Sequence, residues 1–441
     1  MAPREVQAVL RPTPTPPSTL PGLWKYPSHR QAEGAVTGEG YLDSRRVDDG
    51  AEGLWRVHDK LYDLTKFVDK HPGGAHWLRR TKGMDVTEAF ESHHIVVEHA
   101  ARVLAKYEVR DAAERRNSPY TFHDNGFYRT LKRRAVPVLA ATPDPGFAPR
   151  FNDALVAASF LAVAAAARCG CFALATLAAL IISFATVCAH NFTHRRDNWR
   201  MYYKSLGFMS LSEWRVSHIL SHHLYPNTLM DIEITMHEPL LQFLPTAEKP
   251  LVFRVASFVA FFFYACIALP MGMLNRVRRM RAEDYLPALY LLTMLVAGAP
   301  LFQSLFMWLY ICVVHSLIFH SIGLTAAHHH PDIFHDGDAA REDRDWGLGQ
   351  LDAVRDRADH GGSPYLVLTQ YGDHALHHLF PTVDHCRLPA LYPVLRETLA
   401  EFGVEYRFTT TWELFKGAFR QLGRTSTNPE APGKVIALGA R

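Results

Sequence analysis

The chain has 441 residues, enough for two or three domains. Its 47 basic and 44 acidic side chains leave a net charge of only +3, so nothing in the composition suggests a nucleic-acid partner, which would usually need a basic face. Histidine is the outlier at 25 residues, while the six cysteines show neither zinc-finger spacing nor a disulfide framework and read as reduced thiols.

Residues 1–40 carry RPTPTPPSTLPG and no apolar core of the kind a signal peptide has. Proline at that density cannot enter a packed helix or central strand, so the segment is predicted to be disordered and to leave the next domain in the cytosol. Residues 41–112 read as a small soluble domain. Leu54–Phe67 alternates like short strands and leads into His71-Pro72-Gly73-Gly74, a tight turn. Helical patterning follows through Trp77–Arg80, Val86–Phe90 and Val96–Tyr107. Residues 113–150, with Arg129, Lys132, Arg133 and Arg134 and then prolines, read as a linker with a basic patch beside a membrane.

Ala154–Cys188 is almost wholly apolar and would make about 52 Å of helix at ~1.5 Å per residue. One crossing needs only ~20 residues, so two crossings joined near Arg168–Cys171 are expected. Tyr285–Leu324 is read the same way, with a break at Gly298-Ala299-Pro300. Leu251–Leu274 is long enough to span, but a fifth crossing would carry the last histidine cluster to the opposite side, so it is expected to lie along the interface. Arg195, Arg196 and Arg200, and Arg276, Arg278, Arg279 and Arg281, then fall on the cytosolic side by the positive-inside rule. Leu388–Phe402 and Thr410–Leu422 read as amphipathic helices, and 425–441 as a mobile tail.

Three histidine clusters carry the chemistry: His190-Asn-Phe-Thr-His194, His218-Ile-Leu-Ser-His222-His223 and His374-Ala-Leu-His377-His378. Residues three and four apart share a helix face, so each cluster can aim two or three imidazoles at one point. Eight such ligands exceed the four of one tetrahedral ion and favour two metals. The topology puts all three clusters on one side of the membrane. Metal-bound imidazoles normally donate their second nitrogen to an acceptor, and Asn227, Asp231, Glu233 and Asp373 stand close enough in sequence to supply one.

The combination resembles the membrane-bound fatty-acid desaturase and hydroxylase family, whose three boxes read H-x3-H, H-x2-3-HH and (H/Q)-x2-HH. With His71-Pro-Gly-Gly, Thr87-Glu-Ala-Phe90 and a following histidine, it is similar to the members fused to a cytochrome b5 domain. The resemblance implies an α+β cytochrome b5-like heme domain followed by an all-α membrane desaturase domain, residues 151–424, with four transmembrane helices. It implies heme b held by His71 and His94, with His93 the alternative. It also implies two non-heme irons on His190, His194, His218, His222, His223, His374, His377 and His378. His328 fits the family's additional ligand, whereas His315 and His320, inside a crossing, have a bland alternative as hydrogen-bonded core histidines. The implied activity is O2-dependent desaturation of a fatty-acyl lipid in the endoplasmic-reticulum membrane, with electrons from NADH-cytochrome b5 reductase passing through the heme. Hydroxylation on the same centre, or a heme protein without turnover, are the alternatives. Fused relatives typically begin the third box with glutamine, and this chain has His374 there.

Overall fold

In the computed structural model, residues 17–433 are described apart from 32–35, 239, 248 and 250. The first domain opens with α1 (Gly38–Asp48), capped by the Thr37 side chain on Gly40 N–H. The alternating run folds into β1 (Trp55–Val57) and β2 (Lys60–Tyr62), antiparallel with Trp55 opposite Tyr62, and β3 (Glu108–Asp111) pairs on the other side of β2. Around this sheet stand α2 (Ala75–Thr81), α3 (Thr87–His93) and α4 (Val97–Leu104). Trp55, Val57, Tyr62 and Leu64 form its small core, and the Trp55 indole donates to Leu78 O at 3.0 Å.

The expected linker is instead a packed element. α5 (Phe127–Ala141) buries Phe127, Tyr128, Leu131 and Ala135 in the largest core cluster, together with Tyr225, Trp346, Ala375, Leu376 and Leu379. Its apolar face outweighs its basic one, and Lys132 itself is buried. The ends of the chain also depart from expectation. Ser18 and Thr19 bond Asp336, Trp24 N–H donates to Asn117, and Asn428 N–H donates to Asp338, so 17–31 and 425–433 run as fixed straps. Proline disfavours α-helix there but permits an extended run, with one 3-10 turn at Ser28–Arg30, whose Ser and Thr hydroxyls find distant acceptors. The remainder of both predicted disordered segments lies outside the described residues.

α6 (Phe147–Cys169) and α7 (Phe172–Thr193) form the first apolar hairpin, turning at Gly170 with φ +60°, a left-handed value that glycine adopts without strain. At 23 and 22 residues each reaches about 33 Å, enough for a ~30 Å hydrocarbon layer. α8 (Arg215–His222) is a π-helix. The next apolar pair is unlike the expected one. α9 (Ser257–Arg276) continues to Arg279 as a helix long and apolar enough to cross, where an interfacial helix was expected. α10 (Ala288–Val296) has only nine residues, about 13 Å, because the turn at Ala282–Tyr285 and Pro287 interrupts it. α11 (Leu301–Leu324) is full length and begins after the Gly298–Pro300 break. Among the described residues four helices therefore qualify as spans: α6, α7, α9 and α11.

The contacts of α9 are distinctive. Phe258 and Phe261 at its start pack on Phe419 of the C-terminal helix Thr411–Gly423. Past its end, Arg281 bonds Ser212 and lies 3.4 Å from Glu39, which also pairs with Arg80 of the first domain. The third histidine cluster sits on a short helix, α12 (His374–Leu379), followed by α13 (Tyr392–Glu401).

Candidate metal centre

The first cluster closes α7, where Asn191 and Phe192 between the histidines are buried and fix the helix end. The second lies on α8, whose i→i+5 bonding continues in His223 N–H to His218 O at 2.8 Å. A π-turn puts residues five apart on one side. His218 and His223 thus point together while His222 points elsewhere. On α12, His374 and His378 are a helical turn apart and His377 faces the other way.

The result is a division of nine imidazoles. His190, His194, His218, His223 and His377 form one group, and His222, His328, His374 and His378 the other, with ligand atoms within 4.8 Å of one another in each. His328 completes the smaller group: its Nε2 is 3.1 Å from that of His222, 2.8 Å from His374 and 3.0 Å from His378. In the larger group His190 Nε2 is 2.7 Å from His218, 3.0 Å from His194 and 3.1 Å from His377. All nine are buried.

The approach of His222 to His328 is not a hydrogen bond, because both rings hold their proton on the far nitrogen. His218 Nδ1 is anchored on Glu233 at 3.0 Å, His222 Nδ1 on Asp231 at 2.8 Å and His328 Nδ1 on Ala353 O at 2.9 Å. With the proton held at Nδ1, each Nε2 presents a bare lone pair. Lone pairs facing one another at ~3 Å in a dry interior repel unless a cation stands among them. Burial, followed by the neighbouring imidazoles, holds His223, His377 and His378 well below the usual histidine range, so they stay neutral and ligand-competent. Burial acts the same way on His222, but Asp231 overcomes it and raises that group. The residues fit two multiply ligated transition-metal ions.

Of the four expected supports, Asp231 and Glu233 meet the candidate ligands His222 and His218 directly, and Asn227 braces the site by donating to His328 O and by giving its N–H to Asp231. Asp373 does not; it accepts from the Tyr392 hydroxyl at 2.8 Å. Four neighbours were not anticipated. Gln350 meets His378 Nδ1 at 2.9 Å, His385 stacks on His377 at 4.4 Å, Trp214 stacks on His218 at 4.2 Å, and Tyr371 stands 5.0 Å from His190. His385 lies only seven residues beyond the third box, but single histidines carry no periodic signal. His315 bonds Ser183 and Gly207 O within the helix bundle, as the bland reading of it has it. His320 bonds Ser316 O and faces a cavity.

That cavity, about 280 Å³, runs against the centre. Phe261, Leu269, Phe319, Leu324 and Met209 supply its apolar walls, and His218, His222, His328 and His374 open onto it. An apolar space bordered by candidate metal-ligand nitrogens can hold an unactivated hydrocarbon chain against a redox metal.

In the first domain the rings of His71 and His94 lie 6.3 Å apart. His71 Nδ1 bonds Gly74 O at 3.0 Å and His94 Nδ1 bonds Phe90 O at 2.9 Å, which leaves both Nε2 lone pairs free for an iron. Phe67 and Phe90 pack beside them. These residues fit a heme held by two histidines. His93 makes no such ring contact with His71; its Nδ1 folds back on Ala89 O at 3.1 Å.

Two family models match the chain. The fatty acid desaturase model covers residues 164–410, and the cytochrome b5-like heme/steroid binding domain covers 44–113. The "Cytochrome b5-related protein" of Drosophila melanogaster is 43% identical over 425 residues, covering 93% of this chain and 96% of the relative. A "Probable Delta(5) fatty acid desaturase C" of Dictyostelium discoideum is 23% identical across 83% of this chain and 90% of its own length. The "Acyl-lipid (8-3)-desaturase" of Mortierella alpina is also 23% identical, across 85% and 94%. No solved structure matches.

Proposed function

The chain belongs to the family of membrane fatty-acid desaturases fused to a cytochrome b5 domain, and from that premise we propose that it is an O2-dependent fatty-acyl desaturase fed by its own heme. The observation that carries this reading is the five-plus-four division of nine buried histidines beside an apolar cavity. Eight are the box histidines and the ninth is His328.

Two irons held there would supply O2 activation and hydrogen abstraction from an unactivated chain. The protein's own part is positional. The cavity walls exclude water and align the acyl chain, Asp231 and Glu233 hold the Nδ1 protons of His222 and His218, and Trp214 fixes the ring plane of His218. His71 and His94 are the proposed axial ligands of heme b, and NADH-cytochrome b5 reductase is the proposed donor. We place the protein in the endoplasmic-reticulum membrane with heme domain and histidines cytosolic.

Expression in yeast followed by fatty-acid analysis tests the reading. New double bonds are expected from the wild type and none from His377→Ala, which loses non-heme iron while keeping its heme spectrum. Accumulation of 2-hydroxy acids would reassign the reaction to hydroxylation. Intact heme with no non-heme iron would overturn both.

A further inference from the structure

The two redox sites are joined by a built contact. Lys132 on α5 is 3% exposed, and its ammonium donates to Glu91 O at 2.6 Å and to His94 O at 2.7 Å. Those carbonyls are the open C-terminal end of α3, which carries the proposed heme ligand. One turn earlier on α5, the Tyr128 hydroxyl donates to Leu379 O at 3.0 Å, the residue after His378. Near the other end of α3, Glu88 accepts from the Tyr225 hydroxyl at 2.8 Å, two residues after His223. Ala89 and Ile95 pack on the core cluster that contains Ala375, Leu376 and Leu379.

Between these anchors lies His93, whose Nε2 is buried with no partner. An imidazole nitrogen left unpaired in a dry interface is costly and calls for a reason. The helix end that presents His94 to the heme pocket is thus tied, through α5, to the residue that follows His378.

We infer that electrons leave the heme domain through the C-terminal end of α3, with Lys132 the clasp that fixes this contact and His93, its Nε2 buried beside the proposed ligand His94, a positioning side chain. The inference rests on the desaturase reading above. Each transfer oxidises one ferrous heme to ferric and reduces the non-heme centre by one electron. Two such electrons, the two from the C–H bonds broken and four protons reduce O2 to two waters, and the external reductase restores the heme. The contact is intramolecular and prebuilt, so transfer does not depend on diffusional docking.

The test follows heme reoxidation by stopped-flow absorbance in the reduced, iron-loaded full-length protein mixed with O2 and an acyl substrate. Lys132→Met is expected to slow it roughly tenfold, the rate equivalent of one lost hydrogen bond. His93→Phe is expected to slow it several-fold with the heme spectrum unchanged, and Lys132→Arg to restore most of the rate. Reduction of the heme by the reductase, and its reoxidation by ferricyanide, should match wild type in all three, which a merely structural defect would not allow. Wild-type reoxidation in His93→Phe and Lys132→Met would overturn the route. If wild-type reoxidation were unaffected by stripping the non-heme iron, the desaturase reading itself would fail.

Discussion

Asp231 and Glu233 show how two carboxylates only two residues apart serve different histidines, His222 and His218. Asp231 also caps the short helix Ile232–Thr235 and receives the Asn227 N–H, so it is locked before any metal arrives. Asp231→Asn should lower iron affinity about 10–100-fold, the usual cost of losing such a support. Iron retention against a graded chelator checks this, and retention equal to wild type would exclude the role. Asp373→Asn should have no comparable effect, because that side chain is bonded to Tyr392. At this scale the sequence was informative wherever histidines cluster. It was silent on Gln350, Trp214 and Tyr371, which reach the centre from elements brought together only by the fold.

The elements expose where pattern reading succeeds. Uniform apolar runs give α6, α7 and α11 directly, since hydropathy and length decide the matter. They do not distinguish α9 from α10, because a turn and a proline divide one run and the polar contacts that hold the other are long-range. Nor could periodicity identify α5 as core, for its basic residues mask a buried face. A close helix contact also makes a sharp prediction. A Cβ on Gly207 would fall 2.1 Å from Thr186 Oγ1 and 2.7 Å from its Cγ2, so no rotation of Thr186 relieves both. Gly207→Ala should cost roughly 1–3 kcal/mol through overpacking, read as a lowered midpoint of thermal unfolding in detergent. An unchanged midpoint would mean that α7 can move aside.

On the scale of the whole molecule, the heme domain is bolted to the membrane domain at several points, among them Arg45 to the Tyr225 hydroxyl at 3.1 Å and Arg129 to Glu91. The N-terminal strap adds Ser18 and Thr19 on Asp336 and Arg30 on Glu238. Asp336→Ala should release that strap and open the peptide bonds after Lys25 and Arg30 to trypsin, seen as an early shortened fragment; persistence of the full-length band would argue against it. The same loop takes the other end of the chain, for Asp338 receives Arg424 and the Asn428 N–H, and its carbonyl accepts from Thr19. Residues 336–338 are thus the seam where an early-made and a late-made segment meet. The order of assembly follows. During synthesis the first domain can fold and take up heme long before Asp336 exists, yet the strap that lies across it finds its partner only after the last crossing has been threaded. Closure of the seam then requires everything from Ser18 to Asn428 to be in place.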